Sequence, residues 1–286
     1  MNIKPWISCC LVLATLPLRA ATLHVILVAD TSDAAIGEGA KQNDLAVKEW
    51  FTRAATSLHL TPNITLLEDA KFSCEAISTA VKQLTPAADD VVVFYYSGHG
   101  FRTAAQSSSF PDFYCGGTQR FAKVTDDSHT KSMSGKRAGT AILGFCGATP
   151  LDPYCSLAGV ATALKAKGAH LTLAFADTCN VLIPALPPLG QPKFAPSGPN
   201  PALTRLLITS SGSVTMSGSI PKQYSWYLPT GGLFTTQLIA ALDTSTGSGH
   251  AGDWSEVVTL ATKEIQIDPN TLPPTTQKPQ ADNQIL

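Results

Sequence analysis

A histidine and a cysteine, which together could perform thiol chemistry, each follow a strongly apolar stretch of this sequence. His99, between two glycines, comes shortly after the run Val91–Tyr96, and Cys179 comes shortly after the run Leu171–Ala176. A cysteine becomes a strong nucleophile when a nearby base accepts its proton, and an imidazole is such a base. A fold that brings these two residues together would therefore support nucleophilic catalysis by a thiol.

The apolar stretches themselves predict how the two residues are positioned. Both runs lack polar alternation, which is typical of strands buried inside a parallel sheet. In open α/β folds, functional residues gather just past the carboxyl ends of such strands. The glycines on either side of His99 predict a sharp turn and a close approach of backbone at that point.

The rest of the chain supplies the elements of an α/β fold. Up to His99 the order is β-α-β-α-β, which predicts a mostly parallel central β-sheet flanked by helices on both faces. The loop 30–33 follows the first strand, and a polar tail begins at 268. The individual predictions are strands over 22–29, 64–67 and 205–210, and helices from 43, over 73–84 (with Ser73 as N-cap), over 157–166, from 231 through 242 and over 254–265.

The N-terminus has the pattern of an export signal. Lys4 precedes the apolar stretch Trp6–Leu16, and the small residues Ala20 and Ala21 follow. A charged start, a short apolar region and small residues are the three parts of a signal peptide. The stretch is shorter than the roughly 20 residues that a membrane-spanning helix needs. We therefore predict a signal peptide over 1–20 and a secreted or periplasmic protein without a membrane span, with a buried first strand or helix as the alternative.

Composition narrows the classes of partner. The 286 residues carry a formal net charge of -1, and only 14% of them are charged. Such a chain has no basic footprint for nucleic acid or for an anionic membrane surface. The apolar content of 44% is ample for a core. The oligomeric state does not follow from the sequence.

The cysteines suggest a disulfide framework. Of the seven cysteines, Cys9 and Cys10 fall within the predicted signal peptide, which leaves five. In an oxidising compartment four of them would pair and one would stay a thiol. A zinc site is the weaker alternative because no pair has Cys-x-x-Cys spacing. If Cys179 is the nucleophile, the framework consists of four cysteines in any of three pairings: Cys74, Cys115, Cys146 and Cys155.

These motifs resemble the caspase-like cysteine peptidases, the metacaspase-type and bacterial members more than the animal caspases. The resemblance covers most of the chain after the predicted signal peptide, and its strength lies in the order and spacing of several short motifs. It implies the caspase-like α/β fold. The motifs are Asn43-Asp44 after the first strand, Ser97-Gly98-His99-Gly100, Asp177 with Cys179, a strand over Leu206–Ser211 followed by Gly231–Thr235, and Gln277–Gln280.

The resemblance implies a role for each catalytic residue. Cys179 would attack a peptide carbonyl, and His99 would act as general base and then as general acid. The backbone N–H groups of Gly100 and Cys179 would form the oxyanion hole. The chain departs from the metacaspase pattern directly after the cysteine, where Asn180–Leu182 replaces the usual His-Ser-Gly. The missing glycine would alter the shape of the oxyanion loop.

The resemblance also implies a substrate preference. Asp44, Ser97 and Asp177 match the acidic first pocket that accepts Arg or Lys in metacaspase-type enzymes. Two carboxylates there would bind a substrate cation through charge-assisted hydrogen bonds. The structural alternatives are a helix N-terminal charge for Asp44 and a turn residue for Asp177. No cofactor or catalytic metal is implied, although Asp126 and Asp127 leave open either a calcium site or a solvated loop.

The resemblance divides the chain into two portions and a connector. A large portion would cover 21–183, with an insertion over 101–140. A Pro-rich connector over 184–202 would join it to a small portion and tail over 203–286. Proline-rich composition is typical of an extended, exposed linker.

The sequence thus predicts a secreted or periplasmic caspase-like cysteine endopeptidase with a Cys-His dyad. Its partner would be a peptide or protein substrate cleaved after Arg or Lys. Two alternatives remain. One is a catalytically inactive protein that binds peptides or partners in the same cleft. The other is a different thiol hydrolase or transferase, such as an amidase, that uses the same dyad.

Overall fold

A computed structural model describes residues 20–102, 106–115, 153–179, 200–268 and 275–286. Four predicted features lie wholly or mainly outside these residues: the signal peptide, the acidic pair Asp126 and Asp127, Cys146, and the Pro-rich connector.

The strands and helices largely follow the predicted order. The strands are β1 (Thr22–Ala29), β2 (Thr61–Glu68), β3 (Val91–Phe101), β4 (Asp112–Phe113), β5 (Leu171–Cys179), β6 (Gly212–Ser217), β7 (Tyr227–Leu228), β8 (Gly231–Gly232), β9 (Ile265–Asp268), β10 (Thr275–Gln277) and β11 (Gln280–Ile285). The helices are α1 (Gly37–Leu58), α2 (Cys74–Gln83), α3 (Leu157–Lys165), α4 (Pro201–Thr204), α5 (Leu233–Ser245) and α6 (Trp254–Ala261).

Seven strands form one central sheet. Its order is β11-β6-β5-β3-β1-β2, and β4 pairs with the end of β3. The pairs β6-β5, β5-β3, β3-β1 and β1-β2 are parallel, whereas β11 and β4 run antiparallel to their neighbours. The predicted mostly parallel sheet is therefore confirmed, with β3 and β5 side by side at its centre.

Helices cover both faces of this sheet, as predicted. Val93 and Tyr95 of β3 belong to a core that includes residues of α1, α5 and α6. The alternate residues Phe94 and Tyr96 belong to a second core that includes residues of α2 and α3. Successive side chains of a strand point to opposite faces, and both faces of β3 are buried over Val91–Tyr96, which explains why this run is apolar without alternation.

The predicted strand over 205–210 is wrong. This segment continues α4 as a turn of π-helix over Arg205–Thr209, and the strand begins at Gly212. Asn200 caps the helix by accepting a hydrogen bond from the backbone N–H of Leu203, and proline follows it at the first helical position. A short apolar run fits a buried helix as well as a strand, so its periodicity alone could not distinguish them.

The C-terminal region also differs from the prediction. Helix α6 ends at Ala261 instead of Ile265, which begins β9. The polar tail is not a simple extension, because Gln280–Ile285 forms β11 along the edge of β6. An edge strand is held mainly by main-chain hydrogen bonds. The residues of β11 are half-buried or exposed, so its sequence lacks the apolar pattern by which a strand is predicted.

The start of α2 confirms two predictions. Ser73 caps the helix by accepting a hydrogen bond from the backbone N–H of Ala76. The next residue, Cys74, is joined by a disulfide to Cys155, with 5.4 Å between their Cα atoms. One of the three predicted pairings contains this bond; its second pair, Cys115 with Cys146, stays a prediction because Cys146 lies outside the described residues. Within the described ranges no helix is both long and apolar enough to cross a membrane.

Candidate active site

The sheet brings His99 and Cys179 to adjacent positions. Parallel strands β3 and β5 pair in register, with Ser97 opposite Asp177 and His99 opposite Cys179. Neighbouring strands are about 4.8 Å apart, so the backbones of the two residues are direct neighbours at the carboxyl edge of the sheet. About a quarter of the His99 side chain (24%) is exposed, which leaves it accessible to a substrate.

The glycines beside His99 permit close packing and make no turn. β3 continues through both of them to Phe101, so the predicted sharp turn is wrong. The strand continues because β4 pairs with Gly100 and Phe101. A Cβ at Gly98 would lie 2.8 Å from the Tyr96 hydroxyl oxygen, and one at Gly100 would lie 2.7 Å from Cβ of Thr178.

The ring of His99 is bonded to a carboxylate that the sequence analysis did not select. Nε2 of His99 lies 3.3 Å from Oδ2 of Asp33, in the loop between β1 and α1. The other oxygen of Asp33 accepts hydrogen bonds from the backbone N–H groups of Ala35 at 2.8 Å and Ile36 at 3.0 Å. Burial alone would raise the pKa of Asp33, but these N–H groups and His99 hold it below its usual value.

A second carboxyl group lies close enough to His99 and Asp33 to interact electrostatically with both. Asp30 directly follows β1, and its backbone N–H donates to the carbonyl of Ser97 at 2.9 Å. Only 7% of Asp30 is exposed. Burial, and after it the neighbouring Asp33 charge, raise the pKa of Asp30 to about 6, although His99 opposes the shift. The two carboxyl groups thus differ in acidity: Asp33 keeps its negative charge to lower pH than Asp30 does.

Asp177 occupies the centre of a buried hydrogen-bond network. One of its oxygens accepts from the hydroxyl of Ser225 at 2.7 Å. The other accepts from the backbone N–H of Thr235 at 3.0 Å and its hydroxyl at 2.6 Å, and from the Asn43 amide at 3.4 Å. Burial raises the pKa of Asp177, while these hydrogen bonds oppose the rise. A side chain at Gly232 would overlap the Asp177 carboxylate, so a glycine is required there.

Asn43, rather than Asp44, joins the other predicted pocket residues. Its amide nitrogen donates to Oγ of Ser97 at 3.0 Å, and its oxygen accepts from the backbone N–H of Gly232 at 2.7 Å. Ser97 Oγ also lies 3.1 Å from the hydroxyl of Tyr227. The structure therefore connects Ser97 and Asp177 through Asn43, the first residue of the Asn-Asp motif.

The C-terminal segment completes this network. The side-chain amide nitrogen of Gln277 donates to Oγ of Ser225 at 3.0 Å and to the carbonyl of Gly218 at 2.9 Å. Its amide oxygen accepts from the backbone N–H of Trp226 at 2.8 Å. Gln277 is completely buried. The motif over Gln277–Gln280 thus supports Asp177 indirectly, through Ser225.

Asp44 is buried beside the carboxyl group of Glu68. It is 2% exposed, and its carboxyl oxygens interact with Glu68 at the margin of hydrogen-bond geometry. Burial, and after it the carboxylate of Glu68, raise the pKa of Asp44 to about 8, while Lys48 opposes the shift. Asp44 therefore keeps its proton to a higher pH than an exposed aspartate does.

We expect Asp44→Asn to increase the free energy of unfolding at pH 8 and to flatten its pH dependence. The folded-state pKa of about 8 is above the ordinary value of 3.8, so the native protein retains a proton that the unfolded chain releases between these values. The resulting stability is present at low pH and is lost as the pH rises through this window. Urea denaturation at pH 5 and pH 8 measures the difference, with the exposed Asp89→Asn as control. The expectation fails if the two variants respond alike.

The sequence left open whether Asp126 and Asp127 form a calcium site or a solvated loop. Across the described ranges, no group of three or more His, Cys, Asp or Glu side chains is arranged to bind a metal ion. Asp126 and Asp127 lie outside these ranges, so both alternatives stay open there.

The described architecture is that of the caspase-like class: a mostly parallel sheet between helices, with histidine and cysteine at neighbouring strand ends. The family model "Caspase domain" (Peptidase_C14) matches residues 49–285, which include both His99 and Cys179. The chain belongs to this family of caspase-like peptidases.

Other comparisons add little. A search of the curated proteins finds no match. Among solved structures, the crystal structure of protein GSU0716 from Geobacter sulfurreducens aligns with 92% of this chain and 93% of that chain. The sequence identity is 15% and the TM-score is 0.42, and we draw nothing from that protein.

Proposed function

We propose that this protein is a secreted or periplasmic cysteine endopeptidase with Cys179 as nucleophile and His99 as general base and acid. The observation that carries the proposal is the register that pairs His99 with Cys179 at the carboxyl edge of the central sheet. Membership of the caspase-domain family supports peptide or protein substrates. The predicted signal peptide supports export.

The chemistry follows from these positions. An ordinary cysteine has a pKa near 8.5, so its thiol needs a neighbouring imidazole to react at neutral pH. The sulfur of Cys179 attacks the carbonyl carbon, and His99 accepts the thiol proton and transfers it to the leaving amine. Water then hydrolyses the acyl-enzyme. The backbone N–H groups of Gly100 and Cys179 are the proposed oxyanion donors, each contributing roughly 3 kcal/mol to the transition state.

A preference for Arg or Lys is supported by the charges near this edge. Asp33 at this edge keeps its negative charge to low pH, and Asp44 follows Asn43, which is bonded to Ser97 and Asp177. A substrate guanidinium or ammonium group that reached Asp44 would favour its ionised form. Asp177 already accepts several hydrogen bonds within the protein, so we assign it the indirect role of fixing the pocket wall.

An aspartate preference would instead need a free cationic group. The described arginine that follows β3 most directly is Arg102. Its guanidinium donates to the carbonyl oxygens of Ser109 at 3.0 Å and Phe110 at 3.4 Å, so it is already engaged. Among the described residues at this edge, Asp33 is an ionised carboxylate and Arg102 is engaged, which favours a basic substrate residue over an acidic one.

The test is cleavage of fluorogenic peptides that end in Arg, Lys or Asp by wild type and Cys179→Ala, with and without calcium. We expect cleavage after Arg or Lys, and a loss on the order of 10³-fold or more in the variant. Thermal unfolding of both proteins checks that the variant is folded. Cleavage after Asp would support the peptidase assignment but contradict the proposed acidic pocket. Stimulation by calcium would support a site outside the described residues.

The competing hypothesis is a catalytically inactive protein that binds peptides in the same cleft. The departure over Asn180–Leu182 is the observation that favours it. An alkylating probe distinguishes the two, because a thiol activated by His99 is labelled faster than an ordinary one. Labelling of Cys179 at the rate of a free cysteine peptide, together with no cleavage of any peptide, would favour the inactive protein.

A further inference from the structure

The contact between His99 and Asp33 has a defined direction. Asp33 Oδ2 lies 3.3 Å from Nε2 of the imidazole, which leaves Nδ1 for proton exchange. Asp33 cannot easily turn away, since its other oxygen is bonded to the backbone N–H groups of Ala35 and Ile36 at the approach to α1. Its carbonyl also accepts from the backbone N–H of Gly37 at 2.9 Å.

The sheet fixes the loop that carries Asp33. Strand β1 is parallel to β3 and pairs Ala29 with Ser97, so the loop after β1 begins at the same edge as the end of β3. The backbone N–H of Asp30 bonds to Ser97 at this edge. The position of Asp33 relative to His99 is thus set by the core of the fold.

We propose that Asp33 is a positioning residue that selects the tautomer of His99, accepting a hydrogen bond from Nε2–H so that Nδ1 is the proton-accepting atom. The inference rests on the proposed peptidase function and extends its dyad to a Cys-His-Asp arrangement. Asp33 does not touch the substrate. It acts through the imidazole alone.

The proton balance is simple. When the Cys179 sulfur bonds to the carbonyl carbon, the thiol proton moves to Nδ1 and His99 becomes an imidazolium. Asp33 remains ionised and stabilises that positive charge. As the carbon–nitrogen bond breaks, the same proton moves from Nδ1 to the leaving amine. A catalytic hydrogen bond that is long in the free enzyme is expected to tighten as the charge develops.

Several other groups surround this imidazole. Asp30 lies at the end of β1 and Tyr114 just after β4, with its ring centre 6.4 Å from that of His99. Burial raises the pKa of Tyr114, with smaller contributions from Asp30 and Asp33, so it stays neutral in the working range. Asp30 gains a proton near pH 6. Asp33 is therefore the neighbouring carboxylate that stays charged throughout this range.

Asp33→Asn gives a sharp test because the backbone N–H groups of Ala35 and Ile36 dictate how the new amide is oriented. They require an acceptor, so the amide oxygen takes the place of Oδ1 and the NH₂ group faces His99. That group donates to Nε2 and forces the proton onto Nδ1, which is the wrong tautomer. An aspartate-to-asparagine change with this effect lowers kcat by up to about 10⁴-fold in a serine protease. Asp33→Ala removes the carboxylate without enforcing the wrong tautomer.

We therefore expect kcat to fall in the order wild type, Asp33→Ala, Asp33→Asn, with KM nearly unchanged and a loss of roughly 10²-fold or more in Asp33→Asn. Asp30→Asn serves as a matched control, because it removes a nearby carboxyl group that has no hydrogen bond to His99. The limb of the pH–rate profile governed by His99 should move to lower pH in Asp33→Asn. A purely structural role predicts the opposite order, since asparagine preserves the bonds to Ala35 and Ile36 and alanine does not.

A second readout separates this inference from the proposed function. Titration of the His99 ring protons by NMR, in otherwise identical Cys179→Ala proteins, should shift to lower pH when Asp33 becomes asparagine. An unchanged titration, or Asp33→Asn and Asp30→Asn with equal kcat, would overturn the role of Asp33. A wild type that cleaves no peptide while the titration shifts as expected would instead refute the peptidase and retain the Asp33–His99 coupling.

Discussion

Asp177→Ala is expected to lower the free energy of unfolding by about 3 kcal/mol or more, because it leaves several buried donors without an acceptor. The carboxylate accepts from Ser225, from the backbone and hydroxyl of Thr235, and from Asn43. No water can replace these bonds at low cost, since Asp177 is fully buried. Urea denaturation measures the loss directly.

Asp177→Asn is the matched control for this prediction. Its amide oxygen can still accept from Thr235, and only the bond with Ser225 must be rearranged, so we expect a cost of about 1 kcal/mol. A substrate-binding role for the charge would appear differently, as a higher KM for Arg and Lys peptides in a protein of nearly unchanged stability. If alanine and asparagine destabilise the protein equally, the network is not the source of the effect.

Trp254→Ala is expected to cost about 3–5 kcal/mol of stability, since it removes one of the largest side chains from the core. Trp254 is 1% exposed, and its ring centre lies 6.3 Å from that of Phe175 on β5. Its indole N–H donates to the carbonyl of Leu206 at 2.8 Å, which anchors the helical segment that follows the predicted connector.

Trp254→Phe separates the two contributions. Phenylalanine keeps much of the apolar contact but leaves the Leu206 carbonyl without its donor, so a smaller cost of about 1–2 kcal/mol is expected. Both variants can be compared by urea denaturation with an unchanged m-value. A loss below about 1 kcal/mol for alanine would mean that the site collapses around the missing ring. The proposed peptidase activity, measured in the folded fraction, should match wild type, because Trp254 contacts Phe175 and Leu206 and not His99.

The existence and pairing partners of β3 and β5 could be predicted from the sequence for a physical reason. Both strands are buried on both faces, so their apolar runs are continuous, although each strand extends beyond its apolar run, to Phe101 and Cys179. Because the two strands pair in parallel, His99 and Cys179 lie at the same edge of the sheet, and no other sequence feature is needed to predict this. The strand β1 was predicted with its observed bounds for the same reason.

The supporting residues were harder to predict. Asp33 lies in a polar loop, and nothing in its local sequence distinguishes a carboxylate bonded to His99 from one that caps the following turn. Asn43 and Asp44 are successive residues of α1, about 100° apart around the helix, and both are buried. Only the packed structure shows that Asn43 reaches Ser97 and Asp177. β11 was missed because its partner β6, and not its own composition, makes it a strand.

The distance in sequence between β11 and the strand that it covers has a consequence for a truncated chain. A chain that has lost residues 275–286 has no partner for the outer edge of β6 and no Gln277 to donate to Ser225. The strand that carries Cys179 is still present, but the network that supports Asp177 is incomplete. Removal of this segment would therefore leave an open strand edge, which can pair with another chain, and would at the same time weaken the support of Asp177.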